Sequence, residues 1–168
     1  GPAEQAAQMI AASMRKGGKL MLCGNGGSAG DSQHLAAEFV ATFDHTKPRP
    51  GLPALSLTTD TSFLTAYAND FGFEGVFARQ VEALGQPGDV LLGISTSGNS
   101  KNVLAAAKAA KDNQISVIAF TGETGGQMAD FADLLVAIPS RIIMHIQECH
   151  IALGHAITAR VETLLSEK

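Results

Sequence analysis

The sequence has 168 residues, 45% of them apolar and 17% charged, with a formal net charge of −4. This length suits one domain with a substantial core, and the composition excludes an intrinsically disordered chain. The mildly negative charge argues against a nucleic-acid-binding surface, and no apolar run is long enough to cross a bilayer. Cys23 and Cys149 lie far apart and no signal peptide is recognisable, so we expect reduced thiols and a cytoplasmic protein.

Short apolar runs alternate with helix-like segments along the chain. The runs predict five β-strands, at 19–24, 54–58, 89–95, 116–120 and 134–138. Because these runs are continuously apolar, we expect strands that are buried on both faces. The segments around them predict helices at 3–16, 28–43, 61–69, 75–84, 101–112, 126–131 and 144–166. Residues 45–53 contain three prolines and are predicted to form a loop.

This alternation predicts a single α/β domain over residues 1–168. Its architecture would be a three-layer αβα sandwich around a five-stranded parallel sheet, with right-handed crossovers. In such sheets, ligands bind beyond the carboxyl ends of the strands. The segments that follow the first, second and third strands are therefore the ones in which we expect the site.

The segment after the third strand carries the strongest functional signal. Ser95, Thr96, Ser97 and Ser100 place four hydroxyls within six residues, directly before a predicted helix. A helix N-terminus offers unpaired N–H groups and the positive end of a dipole, so hydroxyls and amides together can bind a phosphate without lysine. A simple serine N-cap is the alternative, although it needs only one hydroxyl.

The segment after the first strand is Gly24-Asn25-Gly26-Gly27-Ser28. Its glycines allow the backbone to approach a ligand closely. The spacing differs from the G-x-G-x-x-G fingerprint of dinucleotide-binding proteins. An ordinary tight turn without a ligand is the alternative interpretation. The phosphate-type loop that follows the third strand of the same sheet weakens this alternative.

Histidines, a glutamate and a glutamine recur at helical spacing. His34 and Glu38 are four residues apart and share a helix face, suited to proton transfer, metal binding or an exposed polar pair. On the last predicted helix, Gln147 and His155 are eight residues apart, about 80° around the axis, with His150 near the same sector. Asn69-Asp70-Phe71-Gly72 is predicted to be a turn with a polar tip.

Taken together, these motifs resemble the bacterial phosphoheptose isomerases of the sugar isomerase (SIS) family. The resemblance runs from about residue 17 to the C-terminus and rests on GNGGS at 24–28, His34 with Glu38, NDFGF at 69–73, GDVLLGISTSGNS at 88–100, and Gln147 with His155. It implies the SIS fold, a flavodoxin-like arrangement. Compared with the family, we expect the N-terminal helix to be shortened or absent in this chain. The resemblance also implies a homotetramer with active sites at subunit interfaces, and one zinc ion per subunit.

The resemblance implies a role for each matched position. The reaction would convert sedoheptulose 7-phosphate to D-glycero-D-manno-heptose 7-phosphate for surface glycans, with Glu38 and His155 as the catalytic pair. The zinc ligands would be His34, Glu38, Gln147 and His155. The substrate would contact Asn25, Gly26, Gly27, Glu38, Asn69, Asp70, Ser95, Thr96, Ser97, Ser100 and Gln147.

The chain also departs from the family pattern. Thr42 stands where these isomerases commonly carry an arginine, and Met144 and His145 replace an aspartate and an arginine. These changes keep open an isomerase that acts on another phosphosugar. A non-catalytic SIS protein that binds a phosphosugar or a protein such as a replication initiator is a further alternative, which the presence of both Glu38 and His155 disfavours.

Overall fold

The structure is a computed structural model that describes residues 1–166, and it contains the five predicted strands. They are β1 (Leu20–Gly24), β2 (Ala54–Ser56), β3 (Val90–Ile94), β4 (Ser116–Thr121) and β5 (Leu134–Ala137). The α-helices are α1 (Pro2–Arg15), α2 (Gly27–Val40), α3 (Thr61–Phe71), α4 (Val76–Leu84), α5 (Lys101–Asp112) and α6 (Ile143–Ser166). Short 3-10 helices lie at Phe73–Gly75 and Gly126–Asp130.

All five strands are parallel and form one sheet in the order β2-β1-β3-β4-β5. This confirms the predicted fold class and its flavodoxin-like order. The direction of winding reverses between β1 and β3, where Gly24 pairs with Ile94. The loops that follow these two strands therefore leave the sheet side by side, at the position where open α/β sheets bind ligands.

Each face of the sheet covers its own apolar core, because successive strand residues point to opposite faces. Leu20 and Leu22 of β1 belong to the core beneath α1, α2 and α6. Met21 and Cys23 belong to the core beneath α4 and α5. The continuously apolar strands are thus buried on both faces, as predicted, and burial raises the pKa of the Cys23 thiol to about 12.

Several predicted boundaries differ from the structure. Helix α2 ends at Val40 rather than at residue 43, and β2 ends at Ser56 rather than at residue 58. The segment predicted as a helix at 126–131 forms a 3-10 helix at Gly126–Asp130 rather than an α-helix, and it begins at two positive-φ glycines, Gly125 and Gly126. The predicted turn at Asn69–Gly72 is the last turn of α3, which stops at Gly72 with φ 93°. Within residues 1–166, no helix is long and apolar enough to span a membrane.

Candidate active site

The segment Ser95–Ser100 forms a compact polar turn between β3 and α5. Ser95 is buried and its hydroxyl donates to Ser100 Oγ over 3.0 Å. Ser97 Oγ accepts from the backbone N–H of Asn99 at 3.1 Å. Ser100 occupies the N-cap position of α5, yet its side chain makes no capping hydrogen bond. The simple N-cap interpretation therefore fails, and the N-terminus of α5 faces a set of hydroxyls.

A glycine contact holds this turn in place. Gly98 has φ 67°, and a Cβ at this position would lie 2.0 Å from Gly125 O. The backbone N–H of Met128 donates to Gly98 O at 2.9 Å. The 3-10 helix at Gly126–Asp130 thus packs against this turn, which we call the hydroxyl loop (Ser95–Ser100). The conformation of the hydroxyl loop therefore depends on a segment that follows β4.

The loop after β1 meets the hydroxyl loop through a pair of asparagines. The side chains of Asn25 and Asn102 exchange two hydrogen bonds, each 2.8 Å long. Gly26, with φ 56°, then begins α2. Asn102 lies in the first turn of α5, directly after the hydroxyl loop. The expected proximity of the loops that follow β1 and β3 is therefore confirmed.

His34 and His155 meet although they are 121 positions apart in the chain. Their Nε2 atoms lie 2.8 Å apart, with one imidazole donating to the other. Glu38 Oε1 lies 3.5 Å from His34 Nε2, and the Phe43 ring lies 5.6 Å from the His155 ring between centroids. Helices α2 and α6 thus bring both predicted catalytic residues to one place.

Two glycines allow this close approach. A Cβ on Gly154, next to His155, would lie 2.6 Å from Leu35 Cδ1 of α2. A Cβ on Gly27 would lie 2.8 Å from Gln147 Nε2 of α6. Because both glycines lack a side chain, α6 lies directly against α2, and Gln147 reaches the loop that follows β1.

Asp31 is a residue that the sequence motifs did not single out. Its Oδ2 atom is buried and has no hydrogen-bond partner within residues 1–166. Burial raises the pKa of the Asp31 carboxyl, whereas His34 and His155 act to lower it. Asp31 precedes His34 by three residues on α2, so i, i+3 spacing was the signal that could have identified it. The Asp31 carboxyl and the imidazoles of His34 and His155 are therefore close enough to interact electrostatically.

Comparison with known proteins identifies the family. The SIS domain family matches residues 1–122. The phosphoheptose isomerase of Roseiflexus sp. is 53% identical over 96% of this chain and 81% of its own length. The structure of the phosphoheptose isomerase from Neisseria gonorrhoeae is 47% identical, with a TM-score of 0.90 over 96% of this chain and 85% of that chain. That from Francisella tularensis is 38% identical, with a TM-score of 0.92 and the same coverage.

The chain belongs to the phosphoheptose isomerases of the SIS-domain family. This confirms the resemblance read from the sequence motifs. The fold of these solved relatives is the five-stranded αβα sandwich described above.

The other predicted site residues of this family member divide into two groups. Gly26, Gly27, Thr96 and Gln147 lie in or beside the two loops described above. Asn69 and Asp70 are exposed at the end of α3, where the Asn69 amide donates to Asp70 Oδ1 over 2.8 Å. The single chain therefore assembles most of the predicted site and leaves this pair on a separate helix.

His150 of α6 is fully buried and lies outside the cluster of His34 and His155. Its Nε2 atom contacts Thr121 O at 3.1 Å, whereas Nδ1 has no partner within residues 1–166. Burial lowers the pKa of His150, and the hydrogen bond to Thr121 opposes this effect. A neutral ring donates from Nε2, so His150 anchors α6 to the end of β4.

Two cavities lie along α6, and the smaller one is lined by residues of the hydroxyl loop. A cavity of about 690 Å³ lies between the loop 43–49 and the end of α6. A smaller one of about 300 Å³ is lined by Thr96 and Ser97 together with Ile143 and Ile146 of α6. The smaller cavity is the one that carries hydroxyls of the predicted phosphate site.

The four predicted zinc ligands, His34, Glu38, Gln147 and His155, match zinc in the kinds of atom they offer. Two imidazoles, a carboxylate and an amide oxygen suit zinc chemistry, although the amide is the weakest donor. Tetrahedral zinc with bonds of about 2.0–2.1 Å separates two nitrogens by roughly 3.3 Å, whereas these Nε2 atoms are 2.8 Å apart. Within residues 1–166, no three His, Cys, Asp or Glu side chains are already arranged around a metal position. The residues therefore fit zinc in the kinds of donor atom they offer, and the two imidazoles would have to separate to bind it.

Proposed function

We propose that this protein is a phosphoheptose isomerase that converts sedoheptulose 7-phosphate to D-glycero-D-manno-heptose 7-phosphate, for the synthesis of surface-glycan heptose. The observation that carries the proposal is the contact of His34 with His155 beside Glu38, in a chain that is 53% identical to a phosphoheptose isomerase. We expect it to act in the cytoplasm.

The phosphate end of the substrate would bind at Ser95–Ser100. Hydroxyl groups and the N-terminus of α5 supply donors there, and no lysine is needed. Asn25, Gly26 and Gly27 would contact the sugar from the adjoining loop. Anchoring the phosphate far from the reacting carbons positions C1 and C2 for proton transfer, which is how remote binding energy accelerates a reaction.

Glu38 and His155 would carry the protons of an enediol mechanism. The Glu38 carboxylate removes a proton from C1 of the ketose while His155 donates one to the carbonyl oxygen on C2. Glu38 then returns its proton to C2, and His155 takes the proton from the C1 hydroxyl to form the aldehyde. The net change moves hydrogen between neighbouring carbons and oxygens, and the two groups act in opposite senses.

Zinc is proposed as the cofactor, held by His34, Glu38, Gln147 and His155. A bound zinc ion would polarise the oxygens on C1 and C2. The near contact of the two imidazoles supports this choice, since both nitrogens then face the same small volume. The unpartnered Asp31 carboxylate adds negative charge beside them, which favours a cation.

A homotetramer is proposed as the working assembly. Helix α3 buries none of its residues in the single chain, although it carries Phe63, Leu64 and Tyr67. Phe71 and Phe73 at its end are 76% and 55% exposed. Packing of α3 against a second copy would cover these side chains and bring Asn69 and Asp70 into that copy's site.

The decisive experiment is an assay of the purified protein with sedoheptulose 7-phosphate in D₂O, with and without added zinc. We expect product formation, and solvent deuterium at C2 of the aldose because the proton on Glu38 can exchange. Light scattering on the same sample should report a tetramer. Calorimetric binding of the sugar phosphate without turnover would instead favour the non-catalytic SIS protein. Turnover of a different phosphosugar alone would favour the alternative isomerase, which Thr42 and Met144 keep open.

A further inference from the structure

A partly buried ion pair joins the two helices that carry the proposed catalytic residues. Arg49 lies in the loop after α2 and Glu162 lies on α6. Arg49 Nε donates to Glu162 Oε1 over 2.6 Å, and the side chains are only 13% and 11% exposed. We call this pair the Arg49–Glu162 clasp.

Arg49 also closes the C-terminal end of α2. Its Nη2 donates to Glu38 O at 2.8 Å and its Nη1 to Phe39 O at 2.9 Å. The last carbonyls of a helix have no partner within the helix, and a positive charge there complements the helix dipole. The last turn of α2 contains no basic residue of its own, so Arg49 supplies this charge from outside the helix.

Glu162 connects the clasp to His155. Glu162 follows His155 by seven residues, so the two side chains lie within about 20° of each other around the axis of α6. Glu162 Oε1 also accepts from the backbone N–H of Phe43 at 3.0 Å. The ring of Phe43 packs against His155, with 5.6 Å between centroids. The same carboxylate therefore holds both the loop and the aromatic neighbour of the imidazole.

Packing alone does not hold this loop in place. Arg49 and Glu162 line two cavities, one of about 690 Å³ and one of about 420 Å³. With open space on either side, the hydrogen bonds of the clasp hold this part of the loop against α6.

We propose that Arg49 and Glu162 are positioning residues, which set the distance between Glu38 and His155 by joining the end of α2 to α6. The proposal rests on the isomerase function proposed above. This positioning role requires the forked guanidinium of Arg49, and a positive charge alone is not enough. Different nitrogens of the guanidinium bind the carbonyls of α2 and the carboxylate of Glu162.

The test compares Arg49→Lys and Glu162→Gln with the charge-swapped double variant R49E/E162R. We expect Arg49→Lys to lower kcat about tenfold with KM changed less than about threefold, since proton transfer is sensitive to placement and the phosphate loop is unaffected. The kcat of the charge-swapped variant should also remain low, because a glutamate at position 49 cannot donate to the carbonyls of α2. As a matched control, Arg79→Lys alters the exposed pair Arg79–Glu82 and should leave kcat unchanged.

A second readout separates positioning from stability and from the proposed function. The imidazole resonances of His155, assigned with His155→Gln, should shift in Arg49→Lys because the Phe43 ring moves, and thermal denaturation should show the variant folded at the assay temperature. Full recovery of kcat in the charge-swapped variant, or an unchanged kcat and unchanged His155 resonances in Arg49→Lys, would overturn the proposal. If the wild-type protein lacks isomerase activity, the proposed function fails, while the resonances still test the clasp.

Discussion

The hydroxyl loop and the α2–α6 contact are the two halves of the proposed site, and they are built differently. The loop places its hydroxyls within six consecutive residues between β3 and α5, with support from Gly125. The imidazole contact joins residues 121 positions apart and depends on how two helices pack. Phosphate binding should therefore respond to local changes, and proton transfer to any change that moves α2 relative to α6.

The largest expected effect comes from removing the proton-transfer groups. Glu38→Gln and His155→Ala should each lower kcat by about 10²–10⁴-fold, the usual contribution of a positioned acid or base. Steady-state kinetics with sedoheptulose 7-phosphate measures this, together with circular dichroism to establish folding. A folded variant that keeps the wild-type oligomeric state and the wild-type kcat would remove that residue from the mechanism.

A smaller effect should follow from separating the helices without touching the proton-transfer groups. Gly154→Ala places a methyl group against Leu35, which is buried, so the Leu35 side chain or α6 itself must shift. We expect kcat to fall about tenfold. The free energy of unfolding should fall by up to about 2 kcal/mol, because better helix propensity (about 1 kcal/mol) offsets only part of the cost of overpacking (about 1–3 kcal/mol).

The control for this change is Gly30→Ala. Gly30 lies in α2, and a Cβ added there would have no atom within 4 Å, so alanine adds helix propensity without a clash. Denaturant unfolding should show about 0.5–1 kcal/mol of stabilisation, and kcat should be unchanged. Equal activities in the two alanine variants would argue against close helix packing as a requirement.

Changes in the hydroxyl loop should mainly affect substrate affinity. Ser97→Ala removes an exposed hydroxyl from the proposed phosphate site, and we expect KM to rise by up to about tenfold, the equivalent of roughly 1.4 kcal/mol. Ser97→Thr keeps the hydroxyl and should retain most of the affinity. A large loss of kcat with unchanged KM in Ser97→Ala would show that the loop takes part in the chemical step.

The smallest effect concerns stability and pH. Because burial lowers the pKa of His150, the unfolded chain takes up a proton at a higher pH than the folded protein does. Stability should therefore be lost as the pH falls below the unfolded value of about 6.5. Melting temperatures measured from pH 7.5 to 5 should fall less for His150→Gln than for the wild type. An equal decline in both proteins would assign the acid sensitivity to other groups.

Local patterns predicted the fold and the two loops. Continuous apolar runs identified all five strands, and the hydroxyls at 95–100 identified the loop between β3 and α5, because these signals lie within a few neighbouring residues. The end of α2 was predicted three residues too late, since its cap comes from Arg49, nine positions beyond Val40. Asp31 was not predicted because its distinguishing feature is a buried oxygen without a hydrogen-bond partner within residues 1–166. That feature depends on how distant segments pack.

The sequence by itself determined the alternation of strands and helices, the family and the residue types of the site. Tertiary structure alone decided that Gly154 lies against Leu35, that His34 touches His155 and that Arg49 joins α2 to Glu162. These contacts link parts of the chain that are far apart, and each depends on the packing of whole helices on a twisted sheet. No local spacing encodes such a distance, because it results from the fit of many side chains at once.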